Sequence, residues 1–463
     1  MSSTARKYLI RTFGCQMNEH DSQRLARQLE DDGMVATDEV DEADVVLLNT
    51  CCIRENADNK LYGHLGHLAV QKQQRPDLQI AVAGCLAQKD AGIVREKAPH
   101  VDVVLGTHNV ARAAQLLREA REHGRPIVEI LEEATVEDGE AFPSALPVRD
   151  LPHAAWVTIQ IGCDNKCAFC IVPAVRGKEI SRPFDELVAE VESLATEGVT
   201  EVTLLGQNVN SYGRDITRRR PLFADLLRAI GAVDGIRRVR FTSPHPKDLR
   251  PETIEAMAET PAVCEHLHLP LQSGSDRILA AMHRGYTATR YLERLTAARK
   301  AIPDLAVTTD IIVGFPGETD DDFERTLEVA AAAEYDSAYT FLFSPRPGTE
   351  AESMTDSFIP TDVAAERFQR LRVVVERSAL QKHEQRVGRV EEIVVEGPSK
   401  RDPSVLTGRT RQNKLVHFAA QGLPTGSTAT ARITAAAPHH LTGELVEVVD
   451  RPHRRTRIPV AAV

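Results

Sequence analysis

The sequence predicts an α/β protein in three parts: an N-terminal parallel α/β domain, a central partial (β/α)6 barrel and a small C-terminal β-barrel. Two patterns support this prediction. Apolar strand-like runs alternate with amphipathic helix-like runs over most of the chain, and short β segments separated by turns replace them after about residue 382. At 463 residues the chain is also too long for one ordinary hydrophobic core.

The N-terminal part contains four strand-helix pairs. Strands are predicted at 7–13, 44–49, 79–83 and 102–105, and helices at 19–32, 55–74, 86–97 and 110–123. Regular alternation of this kind implies a parallel sheet covered by helices. We assign residues 5–125 to this domain and the acidic, proline-bearing stretch 126–148 to a linker.

Three cysteines occupy equivalent positions in this domain. Cys15, Cys51 and Cys85 each stand just past the C-terminal end of a predicted strand. Loops that leave such strand ends gather at one edge of a parallel sheet, where ligands of these folds bind. We therefore expect the three cysteines to meet, the alternative being ordinary reduced core cysteines.

The central part, residues 149–380, repeats the strand-helix pattern six times. Its strands are predicted at 156–161, 201–205, 237–242, 265–271, 306–313 and 338–343. Six such units suggest an open, partial barrel. The loop after the first strand then lies at the C-terminal mouth, where barrels of this kind carry out chemistry.

This first loop holds Cys163, Cys167 and Cys170, which are separated by three and then two residues. Three thiolates on one tight loop can bind three irons of a 4Fe-4S cluster and leave the fourth iron open for chemistry. A structural zinc site is the weaker alternative, because it would normally need four closed ligands. No fourth Cys or His lies close by in sequence.

The C-terminal part is predicted to form a five-stranded barrel of the OB type over residues 382–450, followed by a basic tail at 451–463. Its strands are predicted at 389–395, 406–410, 415–418, 428–433 and 445–449. The chain has a net charge of −11, yet residues 367–463 carry 17 Lys and Arg against 9 Asp and Glu. A basic module on an acidic body is a common way to hold RNA, and a solvated charged surface is the alternative.

Nothing in the sequence indicates a membrane protein. The first eleven residues lack the apolar core of a signal peptide, and no later segment approaches the length of a membrane span. We therefore expect a cytoplasmic protein without a membrane partner. Eight cysteines in a reducing compartment are typical of metal ligands or catalytic groups rather than disulfides.

Several motifs, taken in order, resemble those of one family. They are Thr12-Phe13-Gly14-Cys15-Gln16-Met17-Asn18, Asn49-Thr50-Cys51 and Gly84-Cys85, followed by the loop at Cys163 and the terminal barrel. This order resembles the methylthiotransferase family of radical S-adenosylmethionine (SAM) enzymes, whose terminal barrel is a TRAM-type RNA-binding module. Thr242-Ser243 and the run Gln272-Ser273-Gly274-Ser275 are similar to the branch that modifies isopentenyladenosine in tRNA.

The resemblance implies SAM and two 4Fe-4S clusters as cofactors. The cysteine loop of the barrel would hold the cluster that splits SAM to a radical. Cys15, Cys51 and Cys85 would hold a second cluster, whose open iron carries the sulfur, so both trios are expected to be catalytic. Cys52 follows Cys51 directly, and we choose Cys51 as the ligand because it fills the Asn-Thr-Cys position.

The resemblance also implies contact residues outside the cysteine trios. Six positions are expected to lie in the SAM site: Phe169, Gly206, Gln207, Ser243, Gln272 and Val313. Three basic residues on or beside strands of the terminal barrel are expected to bind RNA phosphates: Arg409, Arg411 and Lys414.

The implied reaction is methylthiolation of carbon 2 of N(6)-isopentenyladenosine, 3′ of the anticodon in tRNA. One SAM would be the methyl donor and another the radical source. The implied partners are the tRNA anticodon loop, a reductant such as a flavodoxin or ferredoxin, and proteins that deliver sulfur or iron-sulfur clusters. Three alternatives stay open: a threonylcarbamoyladenosine tRNA substrate, a ribosomal-protein aspartate substrate, and a non-catalytic iron-sulfur protein that binds RNA or senses redox state.

Overall fold

A computed structural model describes residues 5–52, 55–131, 148–149, 151–218, 220–420 and 422–452, with only the backbone described for 55–59. Most of the predicted linker and almost all of the predicted basic tail therefore lie outside the described residues. Each helix among the described residues is too short or too polar to cross a lipid bilayer.

The N-terminal domain is a six-stranded parallel sheet in the order β2-β1-β3-β4-β5-β6. The strands are β1 (Lys7–Phe13), β2 (Val35–Ala36), β3 (Val45–Thr50), β4 (Gln79–Gly84), β5 (Val103–Leu105) and β6 (Ile127–Glu129). The helices are α1 (Gln16–Asp31), α2 (Glu55–Gln74), α3 (Cys85–Lys97) and α4 (Ala113–His123). The four predicted strands and four predicted helices are all present, whereas β2 and β6 were not predicted.

The buried central strands divide the domain into two apolar layers. Along β3, Val46 and Leu48 pack with α2 and α3, while Val45 and Leu47 pack with α1 and α4. All six residues of β3 and of β4 are buried. A strand that is covered on both faces loses the polar alternation of a surface strand, and each fully buried Val or Leu contributes about 1.5–3 kcal/mol.

The strand β6 corrects part of the predicted linker. Residues 127–129 pair in parallel with β5, so the sheet extends into the range 126–148 that composition assigned to a connector. The strand has only three residues and its middle residue, Val128, is exposed. So short an edge strand leaves no periodic signal in the sequence.

The central domain is a partial (β/α)6 barrel, as predicted. Its strands form two parallel three-stranded sheets, β11-β10-β7 and β12-β13-β14, which the bridge between Val239 and Val263 joins. The strands are β7 (Ala154–Thr158), β10 (Glu201–Leu205), β11 (Arg238–Phe241), β12 (His266–His268), β13 (Ala306–Val313) and β14 (Ser337–Leu342), with a small hairpin of β8 (Gln160–Ile161) and β9 (Ile180–Ser181). No pairing between β7 and β14 occurs in the described part of the chain, so these two are the end strands.

Helices surround the outer face of these strands and complete the domain. They are α5 (Val172–Arg176), α6 (Phe184–Thr196), α7 (Arg214–Thr217), α8 (Phe223–Gly231), α9 (Pro251–Glu259), α10 (Asp276–Ala281), α11 (Ala288–Ala301), α12 (Asp320–Ala333) and α13 (Thr361–Glu384). The alternation along β13 separates the two faces: Ile311 and Val313 lie in the helix-covered core, whereas Asp310 and Ile312 are partly exposed on the inner face.

The C-terminal domain is a closed five-stranded barrel in the order β15-β16-β17-β19-β18, which confirms the predicted fold. Its strands are β15 (Val390–Pro398), β16 (Leu406–Thr410), β17 (Leu415–Ala419), β18 (Thr428–Ala437) and β19 (His440–Asp450). Every strand of a closed barrel has two partners, so no edge is left open.

The turn between β16 and β17 closes the N-terminal end of the central barrel. Its residues meet acids that stand at the starts of barrel strands: Arg411 pairs with Glu265, Gln412 with Asp304 and Lys414 with Asp336. In return, the Arg240 guanidinium donates to the carbonyls of Thr410 and Arg411, both at 2.9 Å. The terminal barrel is thus fixed to the central domain through buried polar contacts.

We expect Asp336→Ala to destabilise the protein strongly. The Lys414 Nζ lies 2.6 Å from Asp336 Oδ1, and both side chains are under a tenth exposed. Removing one partner of such a buried pair leaves an uncompensated charge, which typically costs about 3–5 kcal/mol. The shift of the urea unfolding midpoint measures this effect.

The matched control is Glu396→Ala, which removes the partner of Arg409. Both of those side chains are a third exposed, so the loss should stay below about 1 kcal/mol. Equal losses for the two variants would contradict the assignment of a buried interdomain pair.

Candidate active site

The structure brings the three N-terminal cysteines together at one edge of the sheet. Cys15, Cys51 and Cys85 follow β1, β3 and β4, which are adjacent strands in register at their C-terminal ends. The Cys51 amide donates to the Phe13 carbonyl at 2.8 Å, which ties the first two loops side by side. The thiol of Cys51 forms hydrogen bonds with the thiols of both Cys15 and Cys85.

Two glycines permit this close approach. A Cβ on Gly14 would lie 2.5 Å from Asn18 Oδ1 and 2.8 Å from Cys51 Cβ, so any side chain there would push the loops apart. Gly84 has φ +95°, and a Cβ there would collide with Asn49 Oδ1. The side-chain amide of buried Asn49 donates to the backbone carbonyl of Asn18 at 2.7 Å, which holds the loops together.

The thiols of this trio are electrostatically unequal. The hydrogen bond from Cys51 lowers the pKa of Cys15 to about 6, and hydrogen bonds from Cys51 and Cys52 lower the pKa of Cys85. The pKa of Cys51, which donates to both, is raised. Cys15 and Cys85 also stand at the N-termini of α1 and α3, where helix dipoles favour thiolates.

Cys51 and Cys52 face different surroundings. Cys51 interacts with both other members of the trio, whereas Cys52 belongs to the apolar cluster under α2 and α3 while also touching Cys85. This geometry agrees with the choice of Cys51 as the cluster ligand, which stays a prediction.

Arg176 connects the N-terminal trio to the central domain. Its guanidinium forms a hydrogen bond with Cys85 and donates to Asp21 Oδ2 at 2.7 Å, and the side chains of Arg176 and Asp21 are almost fully buried. The helix α5 that carries Arg176 also accepts a hydrogen bond from Thr107 at the Val175 carbonyl, at 2.7 Å. The mouth of the barrel therefore faces the N-terminal trio.

Sequence reasoning did not assign a role to Arg176. Arg176 stands six residues beyond Cys170 in the sequence. A basic residue at the end of a short helix usually interacts with its own helix carbonyls. Its real partners, Asp21 and Cys85, are far away in sequence, so no local pattern could identify them.

The second trio lies on the loop between β8 and α5. The loop starts at Gly162, where φ is +75° and a Cβ would collide with the Lys178 carbonyl. The Cys163 amide donates to the Gly177 carbonyl at 3.1 Å, and the Cys170 amide donates to the Cys167 carbonyl at 3.0 Å. The loop is thereby folded back on itself, with three partly exposed cysteines.

Burial affects the thiol pKa values of this loop, and one buried cation contacts its middle cysteine. Desolvation raises the pKa of Cys163 to about 11 and the pKa of Cys170 to about 12. The guanidinium of buried Arg284 donates to Cys167 Sγ at 3.3 Å. Metal binding would release the protons of these thiols, since thiolates and not thiols bind metal.

Two of the expected SAM contacts carry unsatisfied polar atoms. Both side-chain amide atoms of Gln207 and the Oε1 atom of Gln272 are buried without a hydrogen-bond partner among the described residues. Ser243 and Gln272 hold φ angles of +57° and +68°, which non-glycine residues rarely adopt. Buried orphan groups and strained backbone are typical of ligand sites, so these residues fit a polar ligand such as SAM.

The ring of Phe169 packs edge-to-face on Phe315, with 6.5 Å between centroids. Gly206 is closely packed: a Cβ there would lie 2.8 Å from the Cγ atom of Gln160 and 3.2 Å from the Cγ1 atom of Val209, and its contact with SAM stays a prediction. The side chain of Val313 is fully buried in the core between strands and helices, and its place in the SAM site stays a prediction. Ile312 occupies the inner face instead and packs with the cluster that includes Phe169.

The three cations predicted to contact phosphate all have acidic partners within the protein. The guanidinium of Arg409 pairs with Glu396, that of Arg411 with both carboxylate oxygens of Glu265, and Lys414 with Asp336. These cations are occupied by acids within the protein. Their contact with RNA stays a prediction, and charge counting along the sequence does not reveal which acids the fold brings close to them.

The site does not have the geometry of a mononuclear metal centre. Among the described residues, no three His, Cys, Asp or Glu side chains converge closely enough to hold a single metal ion. A 4Fe-4S cube binds each thiolate through a different iron, so its ligands do not share one metal. An open (β/α)6 barrel with three cysteines at its mouth, facing a second trio, is the arrangement expected of an iron-sulfur enzyme.

Comparisons with known families agree with this class in each part of the chain. The model of the radical SAM superfamily matches residues 157–330, that of the uncharacterized protein family UPF0004 matches residues 7–106, and that of the TRAM domain matches residues 384–446. A radical SAM methyltransferase structure, TsrM from Kitasatospora setae, has a TM-score of 0.56 at 14% identity and covers 75% of each chain, which supports the fold alone.

Full-length relatives define the family. A protein of Kineococcus radiotolerans is 52% identical over 98% of this chain and 91% of its own length, and one of Rhodococcus jostii is 51% identical over 98% and 90%. Both relatives are named tRNA-2-methylthio-N(6)-dimethylallyladenosine synthase. The chain belongs to the family of tRNA-2-methylthio-N(6)-dimethylallyladenosine synthases.

We expect the two cysteine trios to bind clusters independently, because they lie on separately packed domains. Replacing Cys163, Cys167 and Cys170 by Ala should leave about four irons per chain after anaerobic reconstitution. The reciprocal variant, with Ala at Cys15, Cys51 and Cys85, should also retain about four. Iron and sulfide analysis measures both, and loss of all iron in either variant would refute the two-site arrangement.

The neighbouring cysteines Cys51 and Cys52 provide a matched pair of variants. Cys51→Ala should lose the N-terminal cluster and the methylthio product, since Cys51 lies between Cys15 and Cys85. Cys52→Ala should keep both, with a modest loss of stability from its apolar packing. Iron content and product mass decide the assignment, and the opposite pattern would make Cys52 the ligand.

Proposed function

We propose that the protein methylthiolates carbon 2 of N(6)-dimethylallyladenosine, the isopentenylated adenosine 3′ of the anticodon in tRNA. The observation that carries this proposal is the juxtaposition of the two cysteine trios through Arg176, which contacts Cys85 directly and follows the loop of the second trio. A transfer between a sulfur-bearing centre and a SAM-cleaving centre requires the two sites to face one another.

The residues of the chain divide the task between them. Cys163, Cys167 and Cys170 would hold three irons of one cluster, and Gln207 and Gln272 would offer their unsatisfied amide groups to SAM. The N-terminal trio would hold the second cluster, with the Arg176 guanidinium offsetting the negative charge of its thiolates. When bound, the clusters and SAM supply one-electron cleavage of SAM and the methylthio group.

The partners follow from this chemistry. tRNA is the substrate, with the anticodon loop presenting the target base. A one-electron donor such as a flavodoxin or ferredoxin supplies the reducing equivalents, and sulfur or iron-sulfur delivery proteins reload the N-terminal site. Because tRNA is modified and used in the cytoplasm, we place the enzyme there.

The decisive experiment offers the reconstituted protein three tRNA substrates: unmodified, dimethylallylated and threonylcarbamoylated. We expect 2-methylthio product only from the dimethylallylated tRNA, together with 5′-deoxyadenosine, methionine and S-adenosylhomocysteine. Nucleoside mass spectrometry measures the product. Equal or greater activity on the threonylcarbamoylated tRNA, or on a ribosomal protein, would overturn the substrate assignment.

A variant with Ala at Cys15, Cys51 and Cys85 is the control for chemistry. It should still form 5′-deoxyadenosine with a chemical reductant but no methylthio product, because its second trio is intact. A wild-type protein that forms no 5′-deoxyadenosine at all would instead be a non-catalytic iron-sulfur protein.

A further inference from the structure

Two aromatic side chains are exposed on the end strand β14. Tyr339 is 59% exposed and Phe341 is 37% exposed, although both lie in the middle of a sheet domain. In the parallel register, Tyr339 lies opposite Asp310 and Phe341 opposite Ile312. Paired residues of neighbouring strands point to the same face, so both rings line the inner side of the barrel. We call these two residues the aromatic ledge.

A polar pair flanks the aromatic ledge. His268 Nε2 lies 3.5 Å from Asp310 Oδ2, and His268 Nδ1 lies 2.9 Å from Thr308 Oγ1. The His268 ring also meets the Tyr339 ring edge-to-face, with 6.3 Å between centroids. The inner face therefore presents two exposed aromatic side chains with hydrogen-bonding groups beside them.

The ledge leads directly to the cysteine loop of the barrel. After β14, the chain continues through Phe343, whose ring packs on Phe315, which in turn packs on Phe169 between Cys167 and Cys170. Further along, the Ala351 amide donates to the Ala168 carbonyl at 2.8 Å. A group on the ledge would thus lie beside the loop that holds the second trio.

In the described part of the chain, the partial barrel is unpaired between β7 and β14. The turn that carries Arg411 and Lys414 closes the N-terminal end of the barrel, as described above. The strands β7 and β14 are the two ends of the partial barrel, and the N-terminal domain contacts the β7 side through the hydrogen bond between His20 and Thr158 at 2.8 Å. The opposite side of that opening is formed by β14 and its two aromatic rings.

We propose that the aromatic ledge receives the target adenine of tRNA together with its apolar N6 substituent, while the polar pair of His268 and Asp310 faces the hydrogen-bonding edge of the base. This inference rests on the proposed function and names the surface that recognises its substrate. An unstacked nucleobase gains from stacking on an aromatic ring whatever its identity. A dimethylallyl group is an apolar branched chain. Contact with a phenyl ring such as that of Phe341 would remove its apolar surface from water.

The test compares variants of the ledge in the reconstituted full-length protein. Tyr339→Ala should raise the KM for a dimethylallylated anticodon stem-loop at least about tenfold, whereas Tyr339→Phe, which keeps the stacking ring, should stay within about twofold. SAM cleavage in the absence of RNA and iron content should match wild type. Val373→Ala is the control, since Val373 is 65% exposed on the helix α13 and lies outside the barrel interior.

Direct binding measurements distinguish the roles of Tyr339 and Phe341. Fluorescence anisotropy with dimethylallylated and unmodified stem-loops should show that Phe341→Ala loses most of the preference for the dimethylallyl group. Phe341→Leu, which keeps an apolar side chain, should retain most of the preference for the dimethylallyl group. This variant keeps the test informative if Phe341→Ala unfolds. Tyr339→Ala should weaken both stem-loops to a similar degree.

The ledge assignment is overturned if Tyr339→Ala and Phe341→Ala bind both stem-loops as wild type does, or if Val373→Ala is equally impaired. These outcomes are distinct from failure of the proposed function, in which the wild-type protein binds the stem-loop with its usual preference and yields no methylthio product. A KM effect of Tyr339→Ala that Tyr339→Phe does not rescue would also overturn the stacking role.

Discussion

The arrangement of the active site depends on one buried cation, Arg176. Its guanidinium contacts a carboxylate and a thiol that both belong to the N-terminal domain, while its backbone belongs to the short helix after the second cysteine trio. Removing one partner of a buried charge pair leaves the other uncompensated, so the pair holds the two domains in one orientation. This pair acts together with the hydrogen bonds from Thr107 to the Val175 carbonyl and between His20 and Thr158, which also cross between the two domains.

The two trios are prepared for metal in different ways. Cys15 and Cys85 stand at helix N-termini and accept hydrogen bonds from Cys51, so two of the three thiols in that trio have lowered pKa values. In the barrel loop, burial raises the pKa values of Cys163 and Cys170. Thiolates and not thiols bind metal, so cluster binding would release protons in both trios.

The sequence was sufficient to predict what local periodicity controls. The three domains, the strand-helix order and the gathering of Cys15, Cys51 and Cys85 at one sheet edge all follow from strand ends that are visible in the sequence. The strand β6 was missed because three residues give no period. Which face of β13 carries the Val313 side chain depends on register with the neighbouring strands, which a sequence does not display.

The roles of Arg176, Arg411 and Lys414 depend on acids that lie far away in sequence. Arg411 and Lys414 pair with residues 146 and 78 positions earlier, and Arg176 pairs with one 155 positions earlier. A positive net charge over a segment shows that cations are present, but it does not show whether RNA or another domain neutralises them. Long-range pairing of this kind is visible only in three dimensions.

The buried turn between β16 and β17 makes the terminal barrel a poor candidate for modular exchange. Glu265 and Asp336 belong to the central domain, while the cations that neutralise them, Arg411 and Lys414, come from the terminal barrel. A chimera that grafts a foreign barrel onto this chain would leave the buried Asp336 and the partly buried Glu265 without these counterions unless the graft carries the same two cations. Recombination between relatives is therefore constrained to crossover points that keep both sides of this contact from the same parent.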